Sequence, residues 1–208
     1  MSEFIKSSML IFFLLNPFFM SVYLLGVFNE LDAKIFKWVL LRSTLISLCV
    51  FILFAWAGDQ IFTEVLHARF SSFLIFGGIV FLLIGIGFVF KGHDALTSWR
   101  GDPELVTGSI AMPFMIGPGT VMASVMAGTR LDFPQAAASI IVSVGASSIC
   151  LYFLKILYDH VRSKSEKLIQ RYVVVTGRVM ALVIGTFSIE MIFQGIELWL
   201  KGLEKTGF

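Results

Sequence analysis

The sequence predicts an all-α integral membrane protein with six transmembrane helices, arranged as two inverted three-helix repeats with broken helices 1 and 4. Three observations predict this class: the composition is strongly apolar, six apolar runs are long enough to cross a bilayer, and the two halves of the chain are similar. Of 208 residues, 57% are hydrophobic and 14% are charged, and the mean hydropathy is +0.89.

This composition excludes several classes of protein. Soluble domains carry about 25% charged residues, and a soluble chain of this size could not cover so much apolar surface. We therefore exclude a water-soluble enzyme, a nucleic-acid-binding protein and a disordered chain. The lipid bilayer is the first predicted partner.

Six apolar runs reach the length of about 20 residues that a helix needs to cross the hydrocarbon core. They are residues 9–28, 38–57, 71–90, 108–128, 135–158 and 173–200. We predict a single membrane domain over 1–208, with a first repeat over 1–91, a cytoplasmic linker over 92–107 and a second repeat over 108–208.

The distribution of Lys and Arg predicts the orientation. Ten of them lie on the side of the loops that follow spans 1, 3 and 5, and five lie on the other side. Because cytoplasmic loops carry the positive excess, we expect the odd-numbered loops in the cytoplasm and both termini outside. Lys155, just inside a helix end, is expected to extend its side chain to the interface.

The two halves of the chain align with each other. A shift of 101 residues places Pro17 on Pro118 and the run 47–53 on its counterpart, and a shift of 100 places Gly85 on Gly185. Since three helices are an odd number, adjacent copies must insert in opposite orientations. Many secondary transporters are built this way, with the solute site at the midplane where the halves meet.

Both repeats carry a helix-breaking motif at the equivalent place. Span 1 contains Asn16 and Pro17, and span 4 contains Gly117, Pro118 and Gly119. Proline lacks an N–H group and clashes with the preceding turn, and glycine adopts backbone angles that other residues resist. A break survives in lipid only where protein or water satisfies the freed backbone groups, so both breaks are expected inside the bundle.

The freed backbone groups suggest a ligand. N–H groups at the start of a half-helix favour a carboxylate, and freed carbonyls can hold an ammonium group, so a zwitterionic amino acid suits both ends. The predicted substrate-binding residues are Asn16, Pro17, Gly117, Pro118, Gly119 and Thr120. Proline kinks used only for packing remain the alternative.

A polar stripe runs along span 6 at helical spacing. Its members are Thr186, Glu190, Gln194, Glu197 and Lys201. A charge near the middle of a span is costly unless it is partnered or neutral, so the stripe is expected to face the bundle interior. Two interpretations remain open: Glu190 and Gln194 form a proton-coupling site, or Glu190 reaches the outer interface or forms a structural pair.

Small residues predict packing faces. Ser139, Ser143 and Ser147 repeat at every fourth position of span 5, and Gly77, Gly78 and Gly85 lie along span 3. Rows of such small side chains along a helix allow a neighbouring helix to approach closely. Cys49 and Cys150 lie within apolar runs and are expected to be small buried side chains rather than a disulfide or metal site.

Four segments resemble the MarC family of six-helix inner-membrane proteins. They are Asn16 with Pro17, residues 73–82, residues 116–120 and residues 177–196. The similarity covers nearly the whole chain. It implies a bacterial or archaeal plasma membrane, the inner membrane in Gram-negative cells, with termini outside and transport of small neutral amino acids such as glycine or alanine. Glu190 and Gln194 stand where this family usually has Gln and Asp.

The sequence thus predicts a secondary transporter for small neutral amino acids or similar solutes, with alternating access. Proton coupling at Glu190 is one of the two interpretations of that residue. A small-solute channel and a non-transporting membrane scaffold remain alternatives. No catalytic or ATP-binding motif is present, so we predict no enzyme activity, no cofactor and no metal. An oligomer is compatible with the sequence.

Overall fold

The computed structural model describes residues 2–58, 60–65, 67–91, 115–162 and 166–205, and within these ranges the regular secondary structure is helical. The elements are α1 (Glu3–Leu15), α2 (Pro17–Tyr23), α3 (Leu25–Glu30), α4 (Ala33–Ala57), a π-helical turn (Ile61–Val65), α5 (Phe70–Lys91), α6 (Pro118–Arg130), α7 (Phe133–Arg162) and α8 (Glu166–Lys205). The predicted all-α class is confirmed for this part of the chain.

Within the part of the chain that the structure describes, five stretches are long and apolar enough to cross a membrane. They are Glu3–Val22, Ala33–Ala57, Phe70–Gly87, Phe133–Arg162 and Val174–Leu203, which correspond to predicted spans 1, 2, 3, 5 and 6. The predicted fourth span begins outside the described residues, and its described part, α6, has 13 residues, too few to cross the hydrocarbon core alone. The linker over 92–107 also lies outside the described residues, so the six-helix count stays a prediction.

The helices pack in two groups. α5 and α8 make the most extensive helix contact, and α7 contacts both α1 and α4. α6 lies against α1, α4 and α5, so it connects the two groups. The largest fully buried side chains include Phe28, Phe36, Phe51, Leu74 and Met115.

Glycines on α5 allow its neighbours to approach closely. A Cβ atom at Gly77 would lie 2.0 Å from the Cγ atom of Pro118. At Gly78 it would lie 2.8 Å from the carbonyl oxygen of Ser188. At Gly85 the nearest atom, a backbone oxygen of α8, would be 3.3 Å away. The predicted packing role of these three glycines is confirmed.

Hydroxyl groups join α7 to α1 and α4. Ser143 Oγ donates a hydrogen bond across the interface to the carbonyl oxygen of Ser8 at 2.8 Å, and Ser8 Oγ donates to Ser139 Oγ at 3.0 Å. The hydroxyl oxygens of Thr44 and Ser148 are 2.8 Å apart. The predicted packing role of Ser139 and Ser143 is therefore confirmed.

The outer surface of the bundle is largely apolar. Trp56 is 71% exposed and Phe90 is 83% exposed. In water such a surface would drive association, whereas acyl chains are as apolar as these side chains. Both cysteines are free, and neither is fully buried as expected: Cys49 is exposed on α4 and Cys150 is half-buried on α7, because in this bundle an apolar run faces outward as well as inward.

Lys155 does not extend to the interface as expected. Its side chain is 2% exposed and pairs with Asp159 at 2.5 Å. Its Nζ atom also donates a hydrogen bond to the carbonyl oxygen of Phe28 at 3.0 Å. Carbonyl groups in the last turn of a helix lack intrahelical donors and attract cations, so the end of α3 draws the lysine inward.

Candidate functional site

The predicted break in the first span lies at Asn16. α1 ends at Leu15, and Asn16 has a left-handed conformation with φ of 40°, which asparagine tolerates better than most residues. Pro17 then begins α2, at a helix position where its missing N–H group is not needed. Asn16 Oδ1 accepts a hydrogen bond from the backbone N–H of Phe19 at 3.1 Å and so caps the new helix.

An equivalent helix start lies in the second half of the chain. α6 begins at Pro118, and Gly117 before it has an extended backbone. Thr120 satisfies the groups around this start: its Oγ1 accepts from the Gly117 N–H at 2.9 Å and donates to the carbonyl oxygen of Met115 at 2.8 Å. The predicted helix upstream of residue 115 lies outside the described residues.

The break after α1 and the start of α6 meet at one cavity. Asn16, Gly117, Gly119 and Thr120 all line it, and its volume is about 70 Å³. One water occupies about 30 Å³ in the liquid, so the space suits two waters or a solute of a few non-hydrogen atoms. The fold therefore brings together two motifs that are 101 residues apart in the sequence.

The remaining wall of the cavity is apolar. It consists of Phe13, Leu14, Leu15, Phe19, Phe81, Val183, Ile184, Phe187 and Met191. The polar side chains of the wall are Asn16, at the break after α1, and Thr120, at the start of α6. A largely apolar wall with a few placed polar groups is typical of a small-molecule site.

Helix ends of opposite polarity border the cavity. Because α6 begins at Pro118, the N–H groups of Gly119 and Thr120 belong to a first turn that has no intrahelical acceptor for them. Because α1 ends at Leu15, the carbonyl groups of Leu14 and Leu15 belong to a last turn. The helix dipole makes the first end partly positive and the second partly negative.

Two of the six predicted binding residues are not among the described residues that line the cavity. Pro17 is buried at the start of α2. Pro118 begins α6 and packs its ring against Gly77 of α5. Their position indicates that they fix where the two helices begin.

A model of the MarC family, described as integral membrane proteins, matches residues 1–200. This chain belongs to the MarC family. With its membrane-spanning helices, this MarC family protein is a multi-pass integral membrane protein.

The relatives of this MarC family protein align with it over most of its length and most of their own. A UPF0056 membrane protein of Buchnera aphidicola from Schizaphis graminum is 24% identical, over 97% of this chain and 100% of the relative. The UPF0056 inner membrane protein YhgN of Escherichia coli is also 24% identical, with the same coverage. A UPF0056 membrane protein of Pyrococcus horikoshii is 20% identical, over 88% of this chain and 93% of the relative. No solved structure matches the chain.

The predicted coupling pair of this MarC family protein lies apart from the cavity. Gln194 Nε2 donates a hydrogen bond to Glu190 Oε1 at 2.9 Å. Met191 lines the cavity, whereas its neighbour Glu190 is exposed and borders a separate surface trough. The expectation that the polar stripe faces the bundle interior is therefore wrong, because α8 turns its apolar Met191 side inward and its stripe outward.

The sequence did not reveal the wall that α5 and α8 contribute to the cavity. Phe81, Phe187 and Met191 belong to this wall. Their residue types do not distinguish them from neighbours on the outer surface, such as Leu83, which is 64% exposed. A single sequence carries no signal that separates these two groups, since both are apolar.

Proposed function

We propose that this MarC family protein is a secondary transporter that moves small neutral amino acids or similar small solutes across the plasma membrane by alternating access. The observation that carries the proposal is that the break after α1 and the start of α6, one from each half of the chain, line a single small cavity. Transporters built from inverted repeats bind solutes at such breaks. Asn16, Gly117, Gly119 and Thr120 would contact the solute.

The chemistry of the cavity favours a small zwitterion. The N–H groups at the start of α6 would receive its carboxylate, and the carbonyl groups of Leu14 and Leu15 at the end of α1 would receive its ammonium group. The apolar wall gives a charged side chain no partner among the described lining residues. A volume of about 70 Å³ favours a solute of the size of glycine or alanine.

Alternating access would occur by rocking of two inverted three-helix repeats. Asn16 and Gly117, which the repeat aligns, are both N-cap residues followed by a proline. A Cβ atom at Gly85 would lie 3.4 Å from the backbone nitrogen of Gly185, and the repeat aligns these two glycines as well. Contact between equivalent residues is what an internal twofold axis produces, which supports the inverted repeat.

The proposed location is the plasma membrane, with both termini outside. The positive-inside rule supports this orientation. Because Lys155 is buried, we remove it from the count of Lys and Arg on each side of the membrane. Nine Lys and Arg then lie on the proposed cytoplasmic side and five on the other.

Proton coupling at Glu190 is a separate proposal. Because Glu190 borders a trough on another side of α8, coupling would act across this helix rather than by contact with the solute. We expect Glu190→Gln to weaken the dependence of transport on external pH. A variant that keeps the full pH dependence of the wild type would remove this role.

The transport proposal is tested with purified protein in liposomes. We expect saturable uptake of radiolabelled glycine or alanine, competition by the unlabelled solute, and a higher melting temperature in its presence. Gly117→Leu, which adds bulk at the start of α6, is expected to abolish uptake. Flux that rises without saturation would favour the channel alternative, and absence of both binding and flux for any small solute would favour the scaffold and overturn the proposal.

A further inference from the structure

Lys155 is a buried cation to which the proposed transport function assigns no role. Its side chain is 2% exposed, and a charge inside a membrane bundle is costly unless it is partnered. A buried ion pair rarely stabilises a protein more than apolar side chains of the same volume would. Stability alone therefore gives no reason for a lysine at this position, and its contacts indicate another role.

Lys155 joins two helices, one from each half of the chain. Its Nζ atom donates a hydrogen bond to the carbonyl oxygen of Phe28 on α3 at 3.0 Å and lies 5.9 Å from the centre of the Phe28 ring. Near it on α7, Tyr158 donates from its hydroxyl group to Oδ1 of Asn29 at 2.6 Å, and its ring meets the Phe28 ring edge-on. We call Phe28, Asn29, Lys155 and Tyr158 the clasp, because they tie α3 to α7.

The helix that the clasp holds is short and adjoins a bend in the backbone. α3 has six residues, and Leu24, which separates it from α2, has a ψ of 13° instead of about −42° in a regular helix. Residues at helix ends are common hinge points. Before this bend, Phe19 of α2 lines the cavity at the break after α1. α3 therefore lies between that cavity and the proposed cytoplasmic surface.

The equivalent position in the other half of the chain is closed differently. The shift of 101 residues places Val27 on Gly128 and Ile156 on Ala55, so the contact of α3 with α7 corresponds to that of α6 with α4. A Cβ atom at Gly128 would lie 1.9 Å from the carbonyl oxygen of Ala55, so there the two backbones touch. The clasp instead joins α3 to α7 through long side chains, which can part by rotation. The end of the bundle at α3 is therefore the one that opens more easily.

We propose that the clasp holds a cytoplasmic gate shut, and that α3 swings at Leu24 to open the cavity to the cytoplasm when Lys155 releases the Phe28 carbonyl. Release does not leave a buried charge unpaired, because Asp159 on the same helix lies 2.5 Å from Nζ and its side chain is 38% exposed. Opening thus avoids the large cost of an isolated buried charge. The gate rests on the proposed transport function, but movement of α3 can be measured without a solute.

Thiol labelling in nanodiscs tests the gate. In a background with Cys49→Ser and Cys150→Ser, Leu24→Cys reports on the bend, and Val125→Cys reports on the position that the repeat aligns with it. Both native side chains are buried, at 2% and 8% exposure. We expect Lys155→Met to speed the labelling of Leu24→Cys by a water-soluble maleimide by about tenfold or more, because a hydrogen bond from a charged group is lost. Labelling of Val125→Cys should stay unchanged.

Two further variants separate a gate from a packing contact. Tyr158→Phe keeps the ring against Phe28 but removes the hydrogen bond to Asn29, and should speed labelling of Leu24→Cys by about threefold. Lys201→Met, at an exposed pair on α8, should leave both reporters at the wild-type rate.

Two results would overturn the gate. Equal acceleration at both reporters in Lys155→Met would show a general loss of packing, and no acceleration in either clasp variant would show that the clasp does not hold α3 shut. Glycine uptake by the wild type separates this inference from the transport proposal. Uptake with unchanged labelling in the variants would overturn the gate alone, whereas labelling as expected without flux of any small solute would support the movement of α3 and overturn the transport proposal.

Discussion

Gly119→Ala tests whether the cavity between the end of α1 and the start of α6 is open space that a solute occupies. A Cβ atom at Gly119 would lie 3.5 Å from the Sδ atom of Met191 and 3.6 Å from the Cδ2 atom of Leu14. These are ordinary van der Waals distances, so the methyl group enters the cavity without a clash. It would fill about 30 Å³, similar to one water, of a space of about 70 Å³.

The expected gain in stability follows from two terms. Filling about 30 Å³ at about 24 cal/mol per Å³ contributes about 0.7 kcal/mol. Replacing glycine by alanine within a helix contributes about 0.5–1 kcal/mol. We therefore expect Gly119→Ala to raise the free energy of unfolding by about 1–2 kcal/mol, observed as a higher melting temperature of the purified protein.

The same methyl group removes nearly half of the proposed solute space. We expect the apparent affinity for glycine in liposome uptake to fall by about tenfold or more, which corresponds to about 1.4 kcal/mol. Gly145→Ala is the matched control, because an added Cβ atom there meets nothing within 4 Å, and its uptake should equal that of the wild type.

Two results would refute this reasoning. A stabilised Gly119→Ala protein with wild-type uptake would show that the solute does not use this cavity. A strongly destabilised variant would show that the space around Gly119 is already filled.

Three further substitutions test the packing by thermal unfolding. Asn16→Ala removes the cap of α2 and should lower stability by about 1 kcal/mol; Asn16→Gly, which adopts positive φ freely, should lower it less. Lys155→Met leaves a buried carbonyl of α3 without its donor and should lose about 1–3 kcal/mol, whereas Lys201→Met, at an exposed pair, should melt like the wild type. Gly128→Ala places a Cβ atom 1.9 Å from the backbone oxygen of Ala55 and should lose about 1–3 kcal/mol; wild-type stability would contradict the close packing of α4 and α6.

Local features of the sequence were sufficient to locate the break after α1 and the start of α6. Pro17 has no N–H group and Asn16 tolerates a positive φ, so the end of α1 and the start of α2 follow from two adjacent residues. Gly117 and Pro118 predicted the start of α6 for the same reason. These predictions succeeded because they depend on the geometry of neighbouring peptide groups.

The facing direction of side chains could not be predicted in the same way. In a soluble helix the apolar side marks the core, but in lipid the outer side of a helix is apolar as well. The sequence therefore gave no reason to place Met191 in the cavity and Glu190 outside it. The position of the Lys155 side chain was predicted wrongly for a related reason. The carbonyl group that attracts it belongs to α3, 127 residues away in the sequence.

By itself, the sequence determined that this protein is an integral membrane protein, which described stretches are long and apolar enough to cross the bilayer, and where α1 ends and α2 and α6 begin. These properties depend on the length of apolar runs and on the chemistry of adjacent residues. Only the tertiary structure decided that the break after α1 and the start of α6 share one cavity, that Lys155 is buried and that Glu190 faces outward. Those outcomes depend on contacts between distant helices, such as the fit of Pro118 against Gly77, which no local pattern encodes.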